Sequence, residues 1–225
     1  MLFENRKQLF LLLLPALFLL GMLTVYPIIS VVYSAFPLVT LGRADGLGNV
    51  PSVQTDNQMA GKLAAEHLLG LGCKRLGYLA GRRDGQASIE RWQGFSKVVC
   101  AELGTAPQIL EAGRYGYSAG FETAVKSTEA LRELDGVFCA SDALALGLVD
   151  ACQQFAGINI PNQLRVVGCD NVPQAAWQGY QLTTVAQPVK DIAVQALQAL
   201  ENIGREHSAN KPIIRVKPFL KVRKT

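Results

Sequence analysis

Histidine is nearly absent from this chain of 225 residues: there are only His67 and His207, far apart and without a cluster of ligands around either. A transition-metal site built on imidazole is excluded on that ground. Cysteine offers no framework either. Cys73, Cys100, Cys139, Cys152 and Cys169 are odd in number, no two are spaced CxxC, and each sits among apolar neighbours. Buried free thiols in a reducing compartment fit that pattern. The motifs of nucleotide and hydrolytic chemistry are missing too. No GxGxxG follows a strand, and no P-loop, GxSxG or HExxH occurs. No pair of residues suggests general acid–base work. No metal, no cofactor and no enzymatic activity are therefore expected. The net charge is a modest +4, and the tail IIRVKPFLKVRKT carries basic residues and no acid. A basic tail can favour nucleic acid or anionic lipid. The alternation of Ile214 and Val216, then Phe219, Leu220 and Val222, instead reads as an edge strand guarded by lysines.

One thing is present in excess. Residues 9–36 hold no charge over 28 positions. About 20 apolar residues in a helix cross a hydrocarbon core of ~30 Å. Arg6 and Lys7 precede the run and Arg43 is the first charge after it, which places the N-terminus on the cytoplasmic side. The run is longer than a signal-peptide core of ~7–15 residues and ends in a poor cleavage site. One transmembrane helix over residues 1–36, with the membrane as a partner through 9–36, is the expectation. It places the chain at the bacterial cytoplasmic membrane by a single N-terminal span. LLLLPALFLLGMLTVYPIISVVYSAF also resembles the first transmembrane helix of sugar-type ABC transporter permeases. No second hydrophobic run follows, so transport by this chain alone is excluded.

From residue 37 onward the pattern changes. Strand candidates are Pro37–Leu41, Ser52–Thr55, Arg75–Ala80, Gln108–Glu111, Gly136–Ala140, Leu164–Cys169, Thr183–Val185 and Pro212–Val216. Helix candidates are 57–71, 88–103, 118–132, 142–156 and 189–204. The first carries Ala60, Leu63, Ala64, His67, Leu68 and Leu71 at helical spacing, with Asp56 placed to cap it and Gly72 to end it. Strands alternating with such helices predict βαβ units around a parallel sheet. In sheets of that kind ligands sit outside the carboxyl ends of the strands. The residues that follow each strand are Gly81 to Gly85 and then Arg91, Gly113 to Tyr117, Ser141-Asp142, Asp170-Asn171, and Gln187. Carboxylates, amides, a guanidinium fork and tyrosine faces together suit a polyhydroxylated ligand.

The same positions carry a family pattern. Thr55-Asp56-Asn57 with Gly61, His67-Leu68 and Gly72; Arg91-Trp92-Gln93-Gly94-Phe95; Asp135-Gly136-Val137-Phe138-Cys139-Ala140-Ser141-Asp142 with Ala145-Leu146-Gly147; Val166-Val167-Gly168-Cys169-Asp170-Asn171; and Leu182-Thr183-Thr184-Val185 with Gln187-Pro188 together resemble the lactose-repressor (LacI/GalR) family. The resemblance covers 37–225 and implies that family's effector-binding domain, a type I periplasmic-binding-protein-like α/β fold. By that resemblance Arg91 and Asp170 hold the effector, Tyr115 stacks on it, Ser141 stands where an Asn often contacts it, and Asn171 belongs to the same ligand-binding set. The implied ligand is a sugar, a sugar derivative or a nucleobase. Family members usually pair, which implies a homodimer, and the family implies the cytoplasmic side for the module. The helix-turn-helix headpiece and the first βα units of the N-terminal subdomain have no counterpart here, so DNA is a partner only if a headpiece is supplied elsewhere. Gly42 falls where some members place a ligand-contacting Asp.

Several residues have a plainer reading. Asp142 follows a strand and opens a helix, which suits an N-cap. His67 on an apolar helix face suits a packed histidine. Trp177 suits either a pocket lid or a helix-face anchor. Two other functions compete with a regulator's sensing module. One is a membrane-anchored sugar-binding component of an ABC importer. The other is a fused or truncated reading frame without independent function.

Overall fold

The computed structural model describes residues 39–42, 50–82, 84–203 and 213–225. In chain order the elements are β1 (Thr40–Leu41), β2 (Ser52–Thr55), α1 (Asn57–Gly70), β3 (Leu76–Ala80), α2 (Gln86–Leu103), β4 (Gln108–Glu111), α3 (Tyr117–Lys126), α4 (Thr128–Arg132), β5 (Gly136–Cys139), α5 (Asp142–Ala151), β6 (Arg165–Asp170), β7 (Thr183–Ala186), α6 (Val189–Ile203), β8 (Ile213–Val216) and β9 (Phe219–Lys221). They make two sheets. A small parallel sheet has the order β1-β2-β8. A larger sheet has the order β4-β3-β5-β6-β7-β9, parallel throughout except for β9, which runs antiparallel to β7. The chain passes between the sheets three times: from β2 into α1, from β7 into α6, and from β8 into β9.

The central strands are short continuous apolar runs rather than alternating ones, as expected where helices cover both faces of a parallel sheet. Leu76, Tyr78, Leu79, Val137, Phe138, Cys139, Val166, Val167 and Cys169 are all buried. Tyr78, Phe95 and Phe138 meet at ring-centroid distances of 5.4–6.2 Å, with Trp92 against Tyr78. The Tyr78 hydroxyl donates to the Ser88 carbonyl at 2.8 Å, so its polar tip is satisfied in the core.

The helices pair as α1 with α2 and α3 with α5. Right-handed crossovers put these pairs on opposite faces of the large sheet. Each pair crosses backbone to backbone on glycine. A Cβ on Gly61 would lie 2.0 Å from the Arg91 carbonyl oxygen, and one on Gly94 would lie 1.9 Å from that of Gln58. Gly120 and Gly147 make the equivalent crossing between α3 and α5. These glycines bring α1 close enough to hold the N-terminal half of α2, where Arg91 sits.

Most expected strands and helices are found, with informative departures. The span 118–132 is two helices, because the chain turns at Ser127 and the Thr128 hydroxyl donates to the Ala124 and Val125 carbonyls. The span 142–156 is α5 followed by a wider π-turn over Cys152–Ala156, ended by Gly157 in the left-handed region (φ 61°). The basic tail is split between the sheets: β8 in the small one, β9 as the antiparallel edge of the large one. The N-cap of α5 is Ser141, whose Oγ accepts from the Leu144 N–H, and not Asp142. Asp56 does cap α1, accepting from the Met59 N–H at 2.9 Å. His67 is half-buried, and burial together with the nearby Arg165 lowers its pKa. Of the cysteines, Cys100 is exposed and the other four are buried. The apolar run 9–36 lies outside the described residues. Among the described residues no helix is long and apolar enough to cross a membrane.

Candidate functional site

The carboxyl ends of β3, β5, β6 and β7 deliver the expected residues to one place. Arg91, one turn into α2, is 5% exposed and lies across the ends of two strands. Its Nε donates to Asn57 Oδ1 at 2.9 Å, and its Nη1 donates to the Ala140 carbonyl at the end of β5. The remaining Nη2 faces Asp170 Oδ1 at 3.7 Å. That is an ion-pair distance and too long for a hydrogen bond. Asp170 Oδ1 accepts from Gln187 Nε2 at 2.6 Å, and Gln187 Oε1 accepts from the Thr55 hydroxyl at 3.2 Å.

On the other side of Arg91, Asn57 Nδ2 donates to Glu90 Oε2 at 3.4 Å. Glu90 is gripped by both Arg215 nitrogens, Nη1 to Oε2 and Nη2 to Oε1, each at 3.2 Å. The result is one polar circuit, Thr55–Gln187–Asp170–Arg91–Asn57–Glu90–Arg215. It begins on β2 and ends on β8 of the small sheet and passes through the tips of the large one.

Asp170 and Asn171 both have positive φ, 125° and 57°, a region that residues with a Cβ seldom occupy. The pair turns the chain sharply after β6 and aims the Asp170 carboxylate at Arg91. Burial raises the Asp170 pKa, while the facing Arg91, the Gln187 amide and the Asp142 backbone N–H at the start of α5 hold it down. Ser141 Oγ is occupied as the α5 cap and 6% of the residue is exposed. Asn171 Oδ1 accepts from Arg223 Nη2 at 2.8 Å. Tyr115 stands at the rim, partly exposed, with its ring laid over Gly81: a Cβ there would meet the ring at 2.5 Å. Arg91, Asp170, Ser141 and Asn171 are thus brought together at one set of strand tips, with Tyr115 on the β3 side. Trp177 is exposed. Among the described residues no cluster of His, Cys, Asp and Glu could hold a metal.

Asp142 is a buried carboxylate rather than a cap. It is fully buried, accepts from the Thr184 hydroxyl at 2.6 Å and from the Val172 N–H at 2.8 Å, and ties β7 and the loop after β6 to α5. Burial pushes its pKa up from 3.8 to about 6, against the Thr184 and Val172 hydrogen bonds. A raised carboxyl pKa means that the fold binds the proton more tightly than the unfolded chain does. Stability therefore rises as pH falls through about 6 and levels off below the unfolded value. Asp142 alone contributes about 1 kcal/mol between pH 7.5 and 5, with Asp170 adding to it and the lowered His67 opposing it. The expected outcome is a Tm a few degrees higher at pH 5 than at pH 7.5 by calorimetry. In His67→Gln the rise is larger.

Asn57, Glu90, Arg215 and Arg223 escaped the sequence reading as site residues. Only Asn57 and Glu90 left a signal, as polar residues at positions the helix pattern would bury.

Two sheets joined by three crossings, with a charged pair at the strand tips between them, define a ligand-cleft module. The chain belongs to the periplasmic binding protein-like domain family, whose pattern matches residues 65–225, and it carries the effector-binding domain of LacI-family regulators. It is 33% identical over 170 residues to the ribose operon repressor of Halalkalibacterium halodurans, covering 73% of this chain and 48% of that protein. It is 25% identical over 185 residues to catabolite control protein A of Priestia megaterium, covering 81% of this chain and 55% of that one. Among solved structures, a LacI transcriptional regulator from Rhodococcus superposes with TM-score 0.75 at 25% identity, covering 84% of this chain and 69% of that chain. The transcriptional regulator CelR in complex with cellobiose superposes with TM-score 0.73 at 26% identity, covering 83% and 57%. The chain spans about half the length of the curated relatives it matches.

These matches correct the membrane localisation expected from residues 9–36. The relatives are repressors such as the ribose operon repressor and PurR; the run 9–36 itself lies outside the described residues.

Proposed function

We propose that this chain is the sensing module of a transcription regulator, that it is not an enzyme, and that its effector is a sugar or a similarly hydroxyl-rich molecule. The observation that carries the reading is the Arg91–Asp170 pair. At 3.7 Å the two groups are close enough to fix each other and too far apart to use up each other's hydrogen bonds. A vicinal diol inserted there accepts from the guanidinium and donates to the carboxylate. Gln187, Ser141, Asn171 and the Tyr115 face complete the lining. A relative is named for the ribose operon and a structural neighbour holds cellobiose, which supports a carbohydrate over a nucleobase.

Binding would bend the small sheet against the large one and shift the population between two states. DNA recognition would come from a helix-turn-helix headpiece outside the matched residues. The assembly we propose is a homodimer, as the family implies.

Titration calorimetry with D-ribose and cellobiose tests the reading. One of the two is expected to bind, and Asp170→Ala to remove the heat. Binding of equal strength in wild type and Asp170→Ala would refute the site.

A further inference from the structure

The turn that presents Asp170 is costly to hold. Two consecutive residues bearing Cβ atoms, Asp170 and Asn171, sit at φ 125° and 57°. Such conformations persist only where the surroundings over-determine them. The surroundings here come partly from flanking elements, where the Asn171 N–H donates to Thr184 Oγ1 at 3.3 Å and the Val172 N–H to Asp142 Oδ2 at 2.8 Å, and partly from a distant part of the chain. Arg223 spans the gap with three hydrogen bonds: Nη2 to Asn171 Oδ1 at 2.8 Å, Nη1 to the Leu182 carbonyl at 2.6 Å, and its own N–H to Thr183 Oγ1 at 3.0 Å.

Thr225 fixes the tail two residues on. Its Oγ1 accepts from the Thr183 N–H at 2.8 Å and donates to the Val166 carbonyl at 2.7 Å, and the Thr183 hydroxyl donates to the Thr225 carbonyl at 3.1 Å. Lys224 N–H donates to the Gln181 carbonyl at 2.9 Å. Thr225 is 7% exposed. The tail after β9 is therefore stitched across β6 and β7, and Arg223 is the group that reaches from it to the turn.

We infer that Arg223 is a positioning residue for the ligand cleft: by holding Asn171 in the left-handed conformation it aims the preceding carboxylate, Asp170, at Arg91. Arg223 itself stays out of contact with the ligand. It touches Asn171, Leu182 and Thr183, and of these only Asn171 belongs to the proposed lining, beside Arg91, Asp170 and Gln187. A guanidinium suits this role better than an ammonium. Two of its nitrogens serve two acceptors 11 residues apart in sequence from one rigid plane. The inference rests on the Arg91–Asp170 reading only for what the turn is used for; the conformation of the turn can be measured without any ligand.

The test compares wild type, Arg223→Met and Arg223→Lys. Amide hydrogen exchange at Asn171 and Val172 reads the turn. The Asp170 carboxyl-carbon resonance, titrated by NMR, reads where its carboxylate sits. D-ribose and cellobiose calorimetry reads the cleft. In Arg223→Met, exchange at Asn171 and Val172 is expected to rise at least tenfold while exchange in α2 and β3 holds. The Asp170 titration is expected to move toward that of an ordinary exposed aspartate, and sugar affinity to fall about tenfold, the scale of one charge-assisted hydrogen bond. Arg223→Lys is expected to fall between the two, and it carries the test if the methionine variant does not fold.

Unchanged exchange and an unchanged Asp170 titration in both variants would overturn the assignment, whatever happens to sugar binding. A loosened turn in a protein that binds neither sugar would uphold the role of Arg223 and sink the carbohydrate reading. A loosened turn with full sugar affinity would show that Arg223 shapes the backbone without serving the cleft, and would also overturn the assignment.

Discussion

Arg91→Met is expected to cost about a hundredfold or more in affinity for the hydroxyl-rich ligand. Methionine keeps most of the buried volume and removes every donor. Two charge-assisted hydrogen bonds at about 1.5–3 kcal/mol each set the scale of the loss. The substitution also leaves groups stranded. Asn57 Oδ1 and the Ala140 carbonyl lose their donor, and Asp170 loses the cation that offsets its burial. A stability loss of about 2–4 kcal/mol is expected alongside. The two effects separate by experiment: calorimetry is run where circular dichroism shows the variant folded, and chemical denaturation gives the stability. The Asp170 titration is expected to rise further in this variant, because its opposing charge is gone and burial remains. An affinity within threefold of wild type would remove Arg91 from the site.

Gly94→Ala is expected to destabilise the fold by about 3–5 kcal/mol, and here two physical effects predict opposite signs. Helix propensity alone makes alanine better than glycine by about 1 kcal/mol in a helix interior. Packing says the reverse. The new Cβ would sit 1.9 Å from the Gln58 carbonyl oxygen, 2.7 Å from its carbon and 2.9 Å from its Cα. All three are backbone atoms of α1, so no side chain can swing aside, and the two helices must separate. Overpacking without a rotamer escape is among the larger single-residue penalties. Gly94 lies three residues after Arg91 on the same helix, so separating α1 from α2 also pulls Asn57 off the guanidinium. Urea unfolding decides the sign. Gly104→Ala is the control: its φ is 69° with open space beyond, and a loss of about 1 kcal/mol is expected from backbone strain alone. A Gly94→Ala protein as stable as wild type would mean that the α1–α2 crossing is looser than its geometry shows.

The parallel sheet was legible because buried strands announce themselves as runs such as Val166-Val167-Gly168-Cys169, and because turn residues bracket each helix; the order of the strands and their division into two sheets was not. Arg91 and Asp170 were legible because strand tips are where an α/β fold places ligands. The partners that hold them were not. Arg215 and Arg223 lie more than 120 and about 50 residues from Glu90 and Asn171, and nothing local distinguishes them from the other basic residues of a lysine-guarded tail. Asp142 was misread as a cap because Ser141 and Asp142 are both good caps by chemistry. Which one caps is set by where the helix starts, and that is fixed by how the Thr184 and Val172 donors capture the second of the pair. The tail's division between two sheets was invisible because one alternating stretch serves both.

The three crossings between the sheets have a mechanical consequence. A single tether would let the smaller body swivel freely, as a ball does in a socket. Here the passages run abreast and are laced together: the Asp56 N–H donates to the Val216 carbonyl at 2.9 Å, and Thr55 meets Gln187 at 3.2 Å. Twisting would shear those bonds, whereas flexing about the line through them leaves them whole. The molecule is left with one soft direction, like a door on aligned pins, so whatever guest fills the gap can report its presence only as an angle.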